Sequence, residues 1–177
     1  MYQMLNRNTL FTFMLALCSA FYTAVSVAEV KLLPESERMA APDFTIEKLE
    51  GGTTSLAEHK GELVLLHFWA TRCMPCRVEM PGMESLWQQY KDDGLVILAA
   101  SVDEGSKGRV EKYKQIVELS FPILLDPESK VNDLYKVSNM PTSVLIDAEG
   151  QIVSYISGTA EWMAPETVSL VEALLQK

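Results

Sequence analysis

The chain is poor in cysteine, histidine and positive charge: three Cys and two His occur in 177 residues. Three cysteines cannot make a disulfide-stapled scaffold, nor an all-cysteine four-ligand zinc site. Fifteen Lys and Arg stand against 24 Asp and Glu, a net charge of −9. That balance lacks the basic face a nucleic-acid partner requires, and none is expected. Internal repeats and low-complexity tracts are absent too. With 48% apolar and 22% charged residues, the composition is that of a globular domain and excludes disordered or collagen-like classes. The length suffices to bury a core without covalent staples.

The N-terminus differs from the rest. Arg7 is the only charge before Glu29, and Leu10, Phe11, Phe13, Met14, Leu15 and Leu17 form an apolar block. Ser26-Val27-Ala28 places small residues three and one before Glu29, so residues 1–28 read as a secretory signal cleaved near Ala28. The uncharged stretch 8–28 can also span a bilayer, which makes an uncleaved membrane anchor the alternative. Either reading puts the domain in the periplasm or another extracytoplasmic compartment. Residues 29–41, polar and containing Pro34, with Pro42 next, are expected to be a linker, with the domain over 42–177.

The later sequence alternates between two periodicities. Phe44 to Thr54, with Glu50-Gly51-Gly52 between, predicts a hairpin. Ser55-Leu56-Ala57-Glu58 carries a capping-box pattern. Leu63 to Ala70 and Leu95 to Val102 are apolar on both faces, as central strands are. Helices are expected over Met74–Lys91, interrupted at Pro81, and over Arg109–Leu119. A short strand at Pro122–Leu125 and a helical turn at Val131–Tyr135 precede a second hairpin, Ser143–Asp147 with Gln151–Ile156. The last helix starts at Pro165 and is expected to bury Val168, Val171, Leu174 and Leu175. The sum is an α/β fold, a mixed central sheet flanked by helices.

Chemistry concentrates in Cys73-Met74-Pro75-Cys76, directly after an apolar strand and at the start of a helix. A spacing of three puts both sulfurs on one side of the first turn. Unpaired N–H groups and the partial positive charge there favour a thiolate. Pro75 is tolerated because first-turn N–H groups need no helical partner. The expected centre has an exposed nucleophile, Cys73, and a more buried resolving thiol, Cys76. A structural disulfide, or half of a metal site, remains open on spacing alone.

The segment Phe68-Trp69-Ala70-Thr71-Arg72-Cys73-Met74-Pro75-Cys76-Arg77-Val78-Glu79-Met80-Pro81 resembles the active-site segment of the TlpA/ResA-like branch of the thioredoxin superfamily. Ala41-Pro42-Asp43-Phe44, Phe121-Pro122, Leu125-Asp126, Met140-Pro141-Thr142 and Ile146-Asp147 follow the same pattern in order. The resemblance implies a thioredoxin-like fold with an N-terminal hairpin and an exported thiol–disulfide oxidoreductase. It implies disulfide-containing protein substrates and a membrane thiol oxidoreductase as electron donor, as in cytochrome c maturation or envelope thiol homeostasis. No nucleotide or metal cofactor is implied. A cis Met140–Pro141 bond is expected to face the cysteines, with the Met140 backbone and Pro141 contacting substrate. Glu79 is expected beneath the cysteines as a proton carrier.

Two positions depart from the pattern. Arg72 stands where a tryptophan is frequent; it is expected either to favour the Cys73 thiolate and contact substrate, or to be solvated. His67 stands where the branch often has Asn, and is expected either to accept the Cys76 proton or to be a hydrogen-bonded core residue. Trp69 is expected beside the site, touching substrate or filling the core. The competing readings are a copper-handling protein using Cys73, Cys76 and a histidine, and a thiol peroxidase of related fold.

Overall fold

The computed structural model describes residues 27–105 and 107–176. Apart from Val27 and Ala28, the expected leader or anchor lies outside the described residues. Eight strands build one sheet: β1 (Met39–Ala40), β2 (Thr45–Lys48), β3 (Thr53–Ser55), β4 (Leu63–Trp69), β5 (Leu95–Ser101), β6 (Ile123–Leu125), β7 (Thr142–Ile146) and β8 (Gln151–Ser157). The α-helices among the described residues are α1 (Met74–Tyr90), α2 (Lys107–Val117), α3 (Lys130–Leu134) and α4 (Pro165–Leu175). Strand order is β1-β8-β7-β4-β5-β6-β2-β3. β4 and β5 are parallel, and β4 and β7 antiparallel. This is the expected thioredoxin-like α/β fold, with the N-terminal hairpin β2–β3 added at one end.

All seven residues of β4 are buried, and their alternation sorts them between two cores. Val64, Leu66 and Phe68 join Leu98, Val131 and Tyr135 on one face. Leu63, Leu65 and Trp69 join Met80, Met83 and Leu86 of α1 and Val171 of α4 on the other. The same alternation turns His67 towards α1. Gly51 and Gly52, at φ 95° and 72°, supply the left-handed turn of the β2–β3 hairpin.

Four local expectations change. α1 runs through Pro81 without interruption. The missing N–H costs about 3 kcal/mol, but Met80, Met83 and Leu86 are wholly buried on either side of it, at about 1.5–3 kcal/mol each. The capping box does not form: Leu56–His59 is a 3-10 turn and Ser55 makes no side-chain cap. Asp43 Oδ1 instead accepts the Ala57 N–H at 3.0 Å, and Glu58 accepts from the Thr54 hydroxyl at 3.1 Å. In α4 the buried residues are Thr167, Val171 and Leu174, while Val168 and Leu175 pack at the core margin.

The segment read as a linker lies along the sheet. Ala28 N–H bonds to Thr159 O at 2.7 Å and Leu33 N–H to Val153 O at 2.8 Å. Ser154 Oγ donates to Lys31 O at 2.6 Å, and Met39 pairs with Ile152. These contacts cover an edge that β8 would otherwise leave unpaired. They use main-chain groups, so polar side chains did not reveal them.

Candidate active site

β4 delivers the chain to the turn Ala70–Arg72, which Asp103 holds from the end of β5. Asp103 accepts the Thr71 N–H at 2.7 Å, the Thr71 hydroxyl at 2.6 Å and the Ser101 hydroxyl at 2.9 Å. The turn ends at Cys73, which caps α1: its Sγ accepts the Cys76 N–H at 3.2 Å. Cys73 and Cys76 form a disulfide with their Cα atoms 5.3 Å apart. Cys73 is half-buried, whereas Cys76 is entirely buried. A thiolate at Cys73 would lie against the N-terminal N–H groups of α1, which favour negative charge.

The Met140–Pro141 bond is cis. Thr142 pairs with Phe68 near the end of β4, so the loop before β7 and the cysteine turn share one end of the sheet. Arg72 is exposed. Trp69 departs from the substrate-contact expectation. It is fully buried, its Nε1–H reaches Ala99 O at 3.4 Å, and its ring packs on Tyr113 at 5.2 Å. It supports the site from below and offers no surface to a substrate.

One turn after Cys76 on α1, Glu79 forms a buried polar pair with His67. Glu79, 4% exposed, accepts the Ala160 N–H at 2.9 Å and the Trp162 Nε1–H at 3.2 Å, both on Oε2. Burial outweighs these two bonds and raises its pKa from 4.5 to about 7. His67, wholly buried, has Nδ1 at 2.9 Å from Ser143 Oγ. Its Nε2 is 3.6 Å from Glu79 Oε1. Burial disfavours the imidazolium and lowers the His67 pKa to about 3. His67 was expected either to accept the Cys76 proton or to be a hydrogen-bonded core residue. Its Nδ1 is engaged by Ser143, and Nε2 has no hydrogen-bond partner and faces Glu79.

The histidines do not join the cysteines as the copper reading requires. His59 faces Glu62 at 2.9 Å and the Thr54 hydroxyl at 3.2 Å. Among the described residues, no group of three His, Cys, Asp or Glu side chains is arranged to hold a metal ion. The sequence reading missed Ser143, Asp103 and Trp162. Ser143 pairs directly with His67 across β4 and β7, and a lone serine in an apolar strand was its only signal. Trp162 gave none, because its partner lies 83 residues away.

A sheet of this topology, with a Cys-X-X-Cys disulfide capping the helix that follows its central strand, defines a thioredoxin-fold thiol–disulfide oxidoreductase. The AhpC/TSA family profile matches residues 38–155, and the chain belongs to that family. It is 42% identical over 119 residues to the thiol-disulfide oxidoreductase ResA of Geobacillus kaustophilus, spanning 67% of this chain and 68% of that protein. It is 35% identical over 157 residues to ResA of Bacillus subtilis, spanning 88% and 87%. A thiol:disulfide interchange protein from Chlorobium tepidum is similar in structure, with a TM-score of 0.69 at 26% identity, covering 80% of this chain and 99% of that one.

Proposed function

We propose that this oxidoreductase works outside the cytoplasm and reduces disulfides of protein substrates by a Cys73/Cys76 cycle. The observation that carries the role assignment is the contrast between half-buried Cys73, capping α1, and wholly buried Cys76. In the reduced enzyme the Cys73 thiolate attacks a substrate disulfide. A mixed disulfide forms, and the departing substrate thiolate takes a proton from solvent. Cys76 then gives its proton to the Glu79 carboxylate and attacks Cys73 Sγ. The Cys73–Cys76 bond forms as the second substrate thiolate leaves. Glu79 suits this role because it is buried one helical turn from Cys76 and titrates near neutrality.

Met140, Pro141 and Arg72 bind the substrate segment in this reading. The support is that Thr142, directly after Pro141, pairs with Phe68 near the end of β4 that leads to Cys73, and that Arg72 is exposed one residue before the nucleophile. A membrane thiol oxidoreductase then returns two electrons to the disulfide, in cytochrome c maturation or in envelope thiol homeostasis. Extracytoplasmic placement is supported by the uncharged segment 8–28 ahead of Glu29.

Two experiments test the proposal. The reduced protein, mixed with a disulfide-bonded protein substrate, should release two substrate thiols for each enzyme disulfide formed. No release would overturn the reductase reading. A fusion of residues 1–40 to a reporter active only outside the cytoplasm should be active, and an inactive fusion would overturn the localisation.

A further inference from the structure

Two buried polar atoms face each other without a hydrogen-bond partner: Glu79 Oε1 and His67 Nε2, 3.6 Å apart. The other glutamate oxygen is committed. Oε2 already accepts two N–H groups, from Ala160 and Trp162. A hydrogen on Oε2 would be driven against those donors, so a protonated Glu79 carries its hydrogen on Oε1, towards the ring. Nε2 must then present its lone pair, because a hydrogen on both atoms would leave two donors facing. The neutral imidazole has one hydrogen, which falls to Nδ1 and is donated to Ser143 Oγ at 2.9 Å.

We infer that His67 is the positioning residue for Glu79: the Nε2 lone pair, facing Oε1 at 3.6 Å, attracts the Glu79 hydrogen and keeps it on Oε1 while Cys73 and Cys76 are joined in the disulfide. The inference rests on the proposed proton role of Glu79. It completes the proton balance when the enzyme is re-reduced. A donor thiolate attacks Cys73 Sγ, a donor–Cys73 bond forms, and the Cys73–Cys76 bond breaks. Cys76 leaves as a thiolate and takes the hydrogen from Glu79 Oε1, giving a thiol and a carboxylate. Substrate reduction returns that proton to Glu79, so one proton passes between Cys76 and Glu79 in each cycle. The lone pair of the neutral ring keeps it on Oε1.

The surroundings favour a neutral pair. From β7 the Ser143 hydroxyl faces His67. The segment between β8 and α4 supplies the Ala160 and Trp162 N–H groups. The carboxylates of Glu161 and Glu166 line the same cavity of about 800 Å³ that Glu79 reaches. No Lys or Arg forms an ion pair with Glu79 or His67 among the described residues. Burial holds the ring neutral and the carboxyl protonated at mildly acidic pH.

Nitrogen NMR of the oxidised full-length protein with 15N-labelled histidine, at pH 5, tests the inference on the unmodified chain. The His67 Nε2 resonance should be that of an unprotonated, pyridine-type nitrogen, and Nδ1 that of a protonated one. A protonated Nε2, in either the other tautomer or the imidazolium, overturns the inference. This measurement involves no substrate, so it stands apart from whether the protein acts as a reductase.

Two variants separate positioning from packing. His67→Asn places an amide near Nδ1 and keeps the Ser143 contact, but leaves nothing at Nε2. His67→Gln places an amide near Nε2, where its oxygen accepts from Oε1. The Glu79 titration midpoint, read from its carboxyl 13C shift, should fall by about half a pH unit or more in His67→Asn, which removes the lone pair that faces the acid hydrogen. In His67→Gln it should stay near the parent value. Equal midpoints in both variants and the parent would overturn the positioning role.

Discussion

Asp103 reaches across from the end of β5 to Thr71, taking both its N–H at 2.7 Å and its hydroxyl at 2.6 Å. The carboxylate is 5% exposed and also receives the Ser101 hydroxyl. It thereby fixes the turn that presents Cys73 to α1. Asp103→Ala strands three donors, one of them main chain, and should cost about 2–3 kcal/mol of stability. Asp103→Asn keeps the shape and one acceptor oxygen, so it should cost less. Urea unfolding of the oxidised proteins checks both. Equal stability in Asp103→Ala and the parent would show that the turn holds without the clamp.

The His67–Glu79 pair predicts a particular dependence of stability on pH. The folded pKa of Glu79 is raised, so its contribution is full below 4.5 and is lost as pH rises through about 7. That of His67 is lowered, so its contribution is full above 6.5 and is lost as pH falls through about 3. Between 4.5 and 6.5 the folded pair and the unfolded pair each hold one proton, on Glu79 and on His67 respectively. The two slopes cancel there. Glu79→Gln removes one of them, so its stability relative to the parent should rise by about 1.4 kcal/mol per pH unit across that window. Denaturation at pH 4.5, 5.5 and 6.5 reads this directly. A constant offset between the two proteins would mean that folding does not raise the pKa of Glu79.

The sequence exposed the parts of this site whose physics is local. Cys73 and Cys76 declare themselves by spacing, and the both-faces-apolar runs at Leu63 and Leu95 mark adjacent central strands. Glu79, one turn from Cys76, was legible through the family resemblance. The groups that tune Glu79 were not legible. Ser143, Ala160 and Trp162 reach it or its partner His67 through tertiary contacts 76 to 83 residues apart. Trp69 stayed open between substrate contact and core because aromatic residues beside cysteines serve either role; full burial on the α1 face of β4 decides for the core. Pro81 misled the helix boundary, since backbone preference is local and burial of Met80, Met83 and Leu86 is not.

Trp162 gives a sharper handle on Glu79 than its size suggests. Its Nε1–H donates to Oε2 at 3.2 Å, and that bond lowers the glutamate pKa against the larger upward effect of burial. Trp162→Phe keeps most of the apolar packing and removes the donor. The Glu79 midpoint should move up from about 7 by roughly one pH unit, read from its carboxyl 13C shift. An unchanged midpoint would mean that water or another donor replaces the indole.

The two cysteines should behave oppositely when each is replaced. Cys73 is half-buried and caps α1 with its sulfur, whereas Cys76 has no exposed surface and lies one turn from Glu79. An incoming disulfide reaches only the first. Cys73→Ser should therefore lose the attack itself, with no adduct formed. Cys76→Ser should still attack, because the helix N-terminus continues to favour a thiolate at Cys73. Its mixed disulfide then has no resolving thiol and should persist, stoichiometric with enzyme. Mass spectrometry after rapid acid quench, using a disulfide-bonded peptide, separates these outcomes by the mass of the adduct. A stable adduct on Cys73→Ser, with none on Cys76→Ser, would reverse the assignment and require Cys76 to become exposed on reduction.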